Sequence, residues 1–247
     1  IDIQYEWAGD FHQYWAVVKY GGKLGFIDTN GDWMLEPKYE GLLYLSENKA
    51  AYCKDGKWGF INKQGEVLIP AEYQMAMPFK NGVAIVVNDK KWGIIDSVGK
   101  QLVAPIFEII PDESEGVFHE DMATVVLDGK YGFINEKGEV LVEPQFDEAG
   151  HFSNGLASFK KGELYGFVNK NGKEEIPAHF EQVKDFDTNG LAPAKEGGKW
   201  GLLEVDGTWR VKPAYDNAEI FRDGLCWVTK RGFWQYIDKD GEVVWSE

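Results

Sequence analysis

The sequence predicts an all-β protein assembled from seven short repeats. Three observations predict it: glycines and aromatics abound, apolar residues alternate around tight turns, and one hairpin pattern returns at a near-constant spacing. The 247 residues include 29 Gly, 15 Phe, 11 Tyr and 10 Trp, a profile of short strands joined by close turns. The length suffices for a sizeable core in one large domain or two small ones.

The hairpin is read most simply in residues 57–73, KWGFINKQGEVLIPAEY. Trp58, Phe60, Val67 and Ile69 occupy alternating positions around a bend at Asn62-Lys63-Gln64-Gly65. Both faces of the WGFI stretch carry bulk, with Trp58 and Phe60 on one and Ile61 on the other, while Gly59 leaves room for a neighbour. Such two-sided burial predicts sheets stacked on sheets.

The pattern recurs along the whole chain. Its glycine falls at Gly25, Gly59, Gly93, Gly132, Gly166 and Gly201, with Gln235 in the seventh place; the spacings are 34, 34, 39, 34, 35 and 34. The residue before it is Leu24, Trp58, Trp92, Tyr131, Tyr165, Trp200 and Trp234. A turn follows each time, from Asp28…Gly31 to Asp238…Gly241, in which an acceptor side chain can hold the bend and Gly takes a positive φ. Eight residues before each aromatic stands a small residue: Ala16, Ala50, Ala84, Ala123, Ala157, Ala192 and Cys226. A crowded site of this kind predicts the innermost strand of a packed assembly, and makes Cys226 a small core residue rather than a nucleophile.

This pattern resembles the WG-repeat family of bacterial proteins. The matching stretches include KWGFINKQGEVLIPAEY, KWGIIDSVGKQLVAPIF, KYGFINEKGEVLVEPQF and LYGFVNKNGKEEIPAHF, with FSNGLASF and FKNGVAIV for the preceding block. KLGFIDTNG lacks the aromatic and FWQYIDKDG lacks the glycine. The resemblance implies a non-enzymatic repeat scaffold in a bacterium; an extracytoplasmic setting, periplasm or cell surface, is a separate expectation.

Stacked repeats either close into a seven-bladed propeller or extend as an open solenoid. The termini favour the propeller. The last repeat stops near Trp245, before its Pro-x-Tyr segment, whereas IQYEWAGDF at 3–11 aligns with PQFDEAGHF at 144–152. Residues 1–10 are therefore expected to complete the last repeat of a single 1–247 domain. At about 34 residues per repeat, the outer strands are expected to be very short.

The formal net charge of −15 disfavours a nucleic-acid partner. No stretch approaches the roughly 18–20 apolar residues of a membrane span, and a start at Ile1 without a leader pattern suggests a processed or trimmed product. Cys53 and Cys226 make no C-x-x-C pair and are expected as free thiols. No metal or cofactor is expected: the four histidines are scattered, DKDG at 238–241 lacks the remaining ligands of a calcium loop, and no nucleotide-binding fingerprint occurs.

Function is sought where the repeat is broken. An insertion gives EIIPDESEGVFHED at 108–121, whose Asp112, Glu113, Glu115 and His119 are candidate contacts for a cationic partner or a metal, or simply a solvated loop. The second departure is aromatic: Trp15, Trp209, Trp227 and Trp245 lie outside the repeat columns and are expected to form a partly exposed surface, or else to pack a closing seam. The expected function is a non-enzymatic interaction scaffold with a protein partner. The alternative is a glycan-binding or glycan-active module, marked by carboxylates of different repeats converging in one pocket.

Overall fold

A computed structural model describes residues 5–109 and 118–247. Each repeat forms one four-stranded antiparallel sheet whose strands pair in chain order, giving seven sheets and, among the described residues, no helix. The second sheet shows the pattern, with strands Gly41–Leu42, Lys49–Lys54, Lys57–Asn62 and Val67–Tyr73. This four-stranded meander is the blade from which propellers are built. The chain divides between residues 109 and 110 into two compact units, the first with three sheets and the second with four.

Turn chemistry fixes each hairpin. Asn62 Oδ1 accepts the backbone N–H groups of Gln64 at 3.0 Å and Glu66 at 2.9 Å, and Gly65 takes φ 79°. Asp28, Asp96, Asn135, Asn169 and Asp238 do the same in their repeats. The recurring glycine answers a different need. The following strand bulges as it approaches its proline, so a β-carbon on Gly59 would fall closer than 3.0 Å to the carbonyl oxygen of Ile69. Gly25, Gly93, Gly132, Gly166 and Gly201 meet the corresponding carbonyl. The neighbour for which the glycine makes room is thus the next strand's backbone, not another sheet.

The cores lie between consecutive sheets. Ala51, Phe60, Ile69 and Tyr73 of the second sheet pack with Ala76, Phe79, Ala84, Val86 and Ile95 of the third. The same interlock joins first to second, fourth to fifth, fifth to sixth and sixth to seventh. Each buried aromatic contributes roughly 1.5–3 kcal/mol of transfer free energy, which a lone hairpin has no means of recovering.

Two expectations about strand position are corrected. The small-residue column lies on the second strand of each sheet, not the innermost, because a further strand such as Gly41–Leu42 or Met75–Ala76 pairs beyond it. Two residues carry no visible alternation, so the sequence conceals that strand. The Pro-x-Tyr strand, expected to be very short, spans seven residues at Val67–Tyr73; the two-residue first strands account for the lean repeat. At the N-terminus, Trp7–His12 pairs with Trp15–Tyr20 in the first sheet. Tyr5 packs on Ala16, Val18 and Ile27 there, much as Tyr39 packs on the second sheet. Residues 1–4, on which completion of the last repeat also rests, lie outside the described residues.

Many acidic side chains serve the backbone. The residue after the Pro-x-Tyr aromatic accepts an N–H from the next hairpin turn: Glu40 from Gly56, Asp147 from Gly162, Glu181 from Gly198 and Asp216 from Arg231. Lys130 and the Gly162 N–H hold the Asp147 carboxyl below its usual range, and Lys199 and the Arg231 N–H do so for Asp216. Part of the net negative charge is therefore turn scaffolding.

Candidate functional site

Polar side chains enter the stacked interior in one region of the second unit. The position after the small residue reads Val17, Ala51, Ile85, Thr124, Ser158, Pro193 and Trp227, so only the fourth and fifth repeats place a hydroxyl there. Thr124 Oγ1 donates to the carbonyl of Gly150 at 2.8 Å. Ser158, itself buried, donates through Oγ to Asp185 Oδ1 at 2.8 Å. Gly150 makes that bond possible, since a β-carbon on it would fall within 3.0 Å of both Ser158 Oγ and Asp185 Oδ1.

A cavity of about 390 Å³ opens over this pair, lined by residues of the fifth, sixth and seventh sheets. Glu148 stands on one wall, bonded to Lys160 at 2.7 Å and to the Tyr165 hydroxyl at 3.0 Å. The Lys160 bond, seconded by Tyr165, holds the Glu148 carboxyl below its usual range. Lys184, on the other wall, pairs with Glu219 and lies 5.9 Å from the centre of the Trp200 ring. Ala149, Phe159, Val183 and Ile220 supply apolar surface.

Beside the cavity, His119 and His151 stack with ring centres 4.2 Å apart and planes at 29°. Burial, reinforced by His119, lowers the His151 pKa, with Asp185 acting in the opposite sense. His151 Nδ1 is buried without a hydrogen-bond partner among the described residues. No group of three or more His, Cys, Asp or Glu among the described residues is placed to hold a metal ion.

Of the residues singled out in the sequence, His119 lies in this region; Asp112, Glu113 and Glu115 fall outside the described residues. Trp15 packs edge-on to Phe26 in the first unit, and Trp209 edge-on to Phe180. Trp227 and Trp245 share the seventh sheet, where Trp227, Tyr236 and Trp245 form one cross-strand row. Trp234 packs edge-on to Trp227, and Trp234 and Trp245 are each 52% exposed. The cysteines are free thiols, with burial pushing the Cys226 pKa up to about 12. Glu148, His151, Ser158, Lys184 and Asp185 escaped the sequence reading. The hydroxyls at Thr124 and Ser158, in an otherwise hydroxyl-free column, are the sequence signal by which that region could have been found.

A family model described as "WG containing repeat" matches residues 25–58, 58–92, 92–131, 131–165, 165–200 and 200–234. The chain belongs to the WG-repeat family. No curated protein matches it. Among solved structures it is similar to a eukaryotic initiation factor, at 12% identity over 93% of this chain and 72% of that one, with a TM-score of 0.46. It is also similar to Kluyveromyces lactis Hsv2, at 8% identity, 95% and 94% coverage and a TM-score of 0.39. For Saccharomyces cerevisiae Sqt1 the values are 11%, 94%, 82% and 0.37. With TM-scores below 0.5, these likenesses carry no argument about activity. Among the described residues, no helix is long and apolar enough to cross a membrane.

Proposed function

We propose that this WG-repeat chain is a non-enzymatic binding scaffold that holds a protein partner at the cavity over Ser158 and Asp185. The observation that carries the reading is the Ser158–Asp185 hydrogen bond at the floor of that cavity, in a column that holds Val17, Ala51, Ile85, Pro193 and Trp227 in five of the other repeats. Trp227 and Trp245 belong to the proposal as a second contact, since the seventh-sheet row keeps exposed aromatic surface.

One feature favours the glycan alternative: Glu148 and Asp185, from neighbouring repeats, line the same cavity. Glycoside cleavage needs one carboxyl protonated at working pH, yet Lys160 and Tyr165 keep Glu148 ionised. This takes Glu148 out of the proton donor's role.

The test is retention from a lysate of the source organism on immobilised chain, comparing wild type with the double variant Asp185→Asn/Glu148→Gln. The expected result is a protein retained by wild type and lost with the variant, while both melt cooperatively. A partner retained equally by both would overturn the cavity as the site, and hydrolysis of a glycan panel by wild type would overturn the non-enzymatic reading.

A further inference from the structure

The charges around the cavity do not cancel. Glu148 is matched by Lys160 and Lys184 by Glu219, in ion pairs that leave little net field between them. Asp185 is left over. Among the described residues its Oδ1 accepts the Ser158 hydroxyl, a neutral donor; Lys184 beside it in the chain is paired with Glu219, and His151, on which Asp185 acts electrostatically, is held toward the neutral form by burial. A carboxylate facing a cavity with no cation of its own attracts one, and does so more strongly where apolar walls keep the local dielectric low.

The walls describe the rest of the ligand. Ala149, Val183 and Ile220 offer an aliphatic lining, and Ile220 is 39% exposed, as befits a side chain with part of its cover missing. A cation with a slim aliphatic stem satisfies both features. A guanidinium forks onto both oxygens of one carboxylate, whereas Asp185 Oδ1 already accepts the Ser158 hydroxyl, a geometry better matched to the single point of an ammonium. The chain's net charge of −15 steers cationic partners toward it.

We infer that the cavity between the fifth and sixth sheets receives a lysine side chain of the protein partner, its ammonium on Asp185 and its methylene stem against Val183 and Ile220. This rests on the reading of the cavity as a partner site and names the chemistry recognised there.

The probe is Nα-acetyl-lysine amide, titrated into the isotopically labelled chain and followed at the backbone amides of Gly150, Phe159 and Asp185. Saturable shifts with a Kd on the order of millimolar are expected for so small a ligand. The Nε-acetylated probe should bind at least about tenfold more weakly, because its charge is gone. Asp185→Asn should weaken binding about tenfold, and Lys184→Met, which frees Glu219, should strengthen it about two- to threefold. The opposite signs separate a charge effect from loss of folding, and a thermal melt checks each variant. Absence of saturable shifts, equal binding of the acetylated probe, or no response to either variant overturns the inference. Spermidine binding at least about tenfold more tightly than the lysine amide overturns the protein source of the ammonium. If the lysine amide fails while Asp185→Asn/Glu148→Gln still releases the retained partner, the ammonium assignment falls and the scaffold reading stands.

Discussion

The second and seventh sheets carry corresponding hairpins, and among the exchanges between them Gln235 stands where the second has Gly59. In the second sheet the register shifts twice, once on each side of Phe60, and Trp58 comes opposite Tyr73. In the seventh the strand Val243–Ser246 is four residues long and the shift next to Trp234 is missing: Gln235 pairs directly with Ser246. The glycine therefore serves the strand that follows it rather than the aromatic before it. Where the partner strand pairs directly, as Ser246 does with Gln235, a side chain fits.

The largest effect that tests this comparison comes from moving the exchange. Gly59→Gln is expected to cost at least about 3 kcal/mol, because its β-carbon meets backbone that has no means of yielding. Gln235→Gly should change stability by no more than about 1 kcal/mol, since the flexibility it adds is offset by removing the buried, unpartnered Oε1. Urea denaturation of both variants measures the pair, and equal costs would break the explanation.

A second contrast sets a buried repeat position against an exposed one. Phe79 is 1% exposed between the second and third sheets, whereas its repeat counterpart Phe11 is 45% exposed on the first. Phe79→Ala should lose about 3–5 kcal/mol and Phe11→Ala less than about 1 kcal/mol. A large loss at Phe11 in solution would show that another surface covers it.

Removing residues 1–6 sharpens the same contrast, because Tyr5 leaves Ala16, Val18 and Ile27. The ring expected from the termini predicts a lower melting midpoint for the entire cooperative transition. An open array predicts that only the first sheet softens, which hydrogen exchange would resolve.

The smallest effect is electrostatic. His151 has a folded pKa below its ordinary value of 6.5, through burial and His119. The unfolded chain then binds more protons in that range, so the contribution is complete above pH 6.5 and is lost as pH falls toward the folded pKa. Thermal midpoints between pH 8 and pH 5.5 should fall more for wild type than for His151→Gln. Parallel profiles would remove His151 from the account.

The architecture was legible because it repeats. Seven coincident columns reveal a spacing that a lone hairpin would not, and the two-sided bulk of Trp58, Phe60 and Ile61 announces stacking. Gly41–Leu42 was hidden because two residues have no periodicity, and its absence from the reading moved the alanine column to the wrong strand. The candidate site was less legible. Asp185, Ser158 and Lys184 are ordinary residues in sequence, and they meet only because the fifth and sixth repeats fold against one another. The aromatic departures were visible yet chemically ambiguous: Trp15 and Trp209 fill packing positions, while Trp245 on a short last strand keeps half its surface in water.

Five core clusters each draw about half their side chains from one repeat and about half from the next. The period of copying and the period of packing therefore have equal length but need not share a boundary. A duplication that copies one whole period, wherever it begins, supplies one face that fits the copy before it and one that fits the copy after. Such a chain can lengthen by genetic accident without first finding a correct breakpoint. Selection can then act on a single divergent copy while its neighbours keep the stack intact.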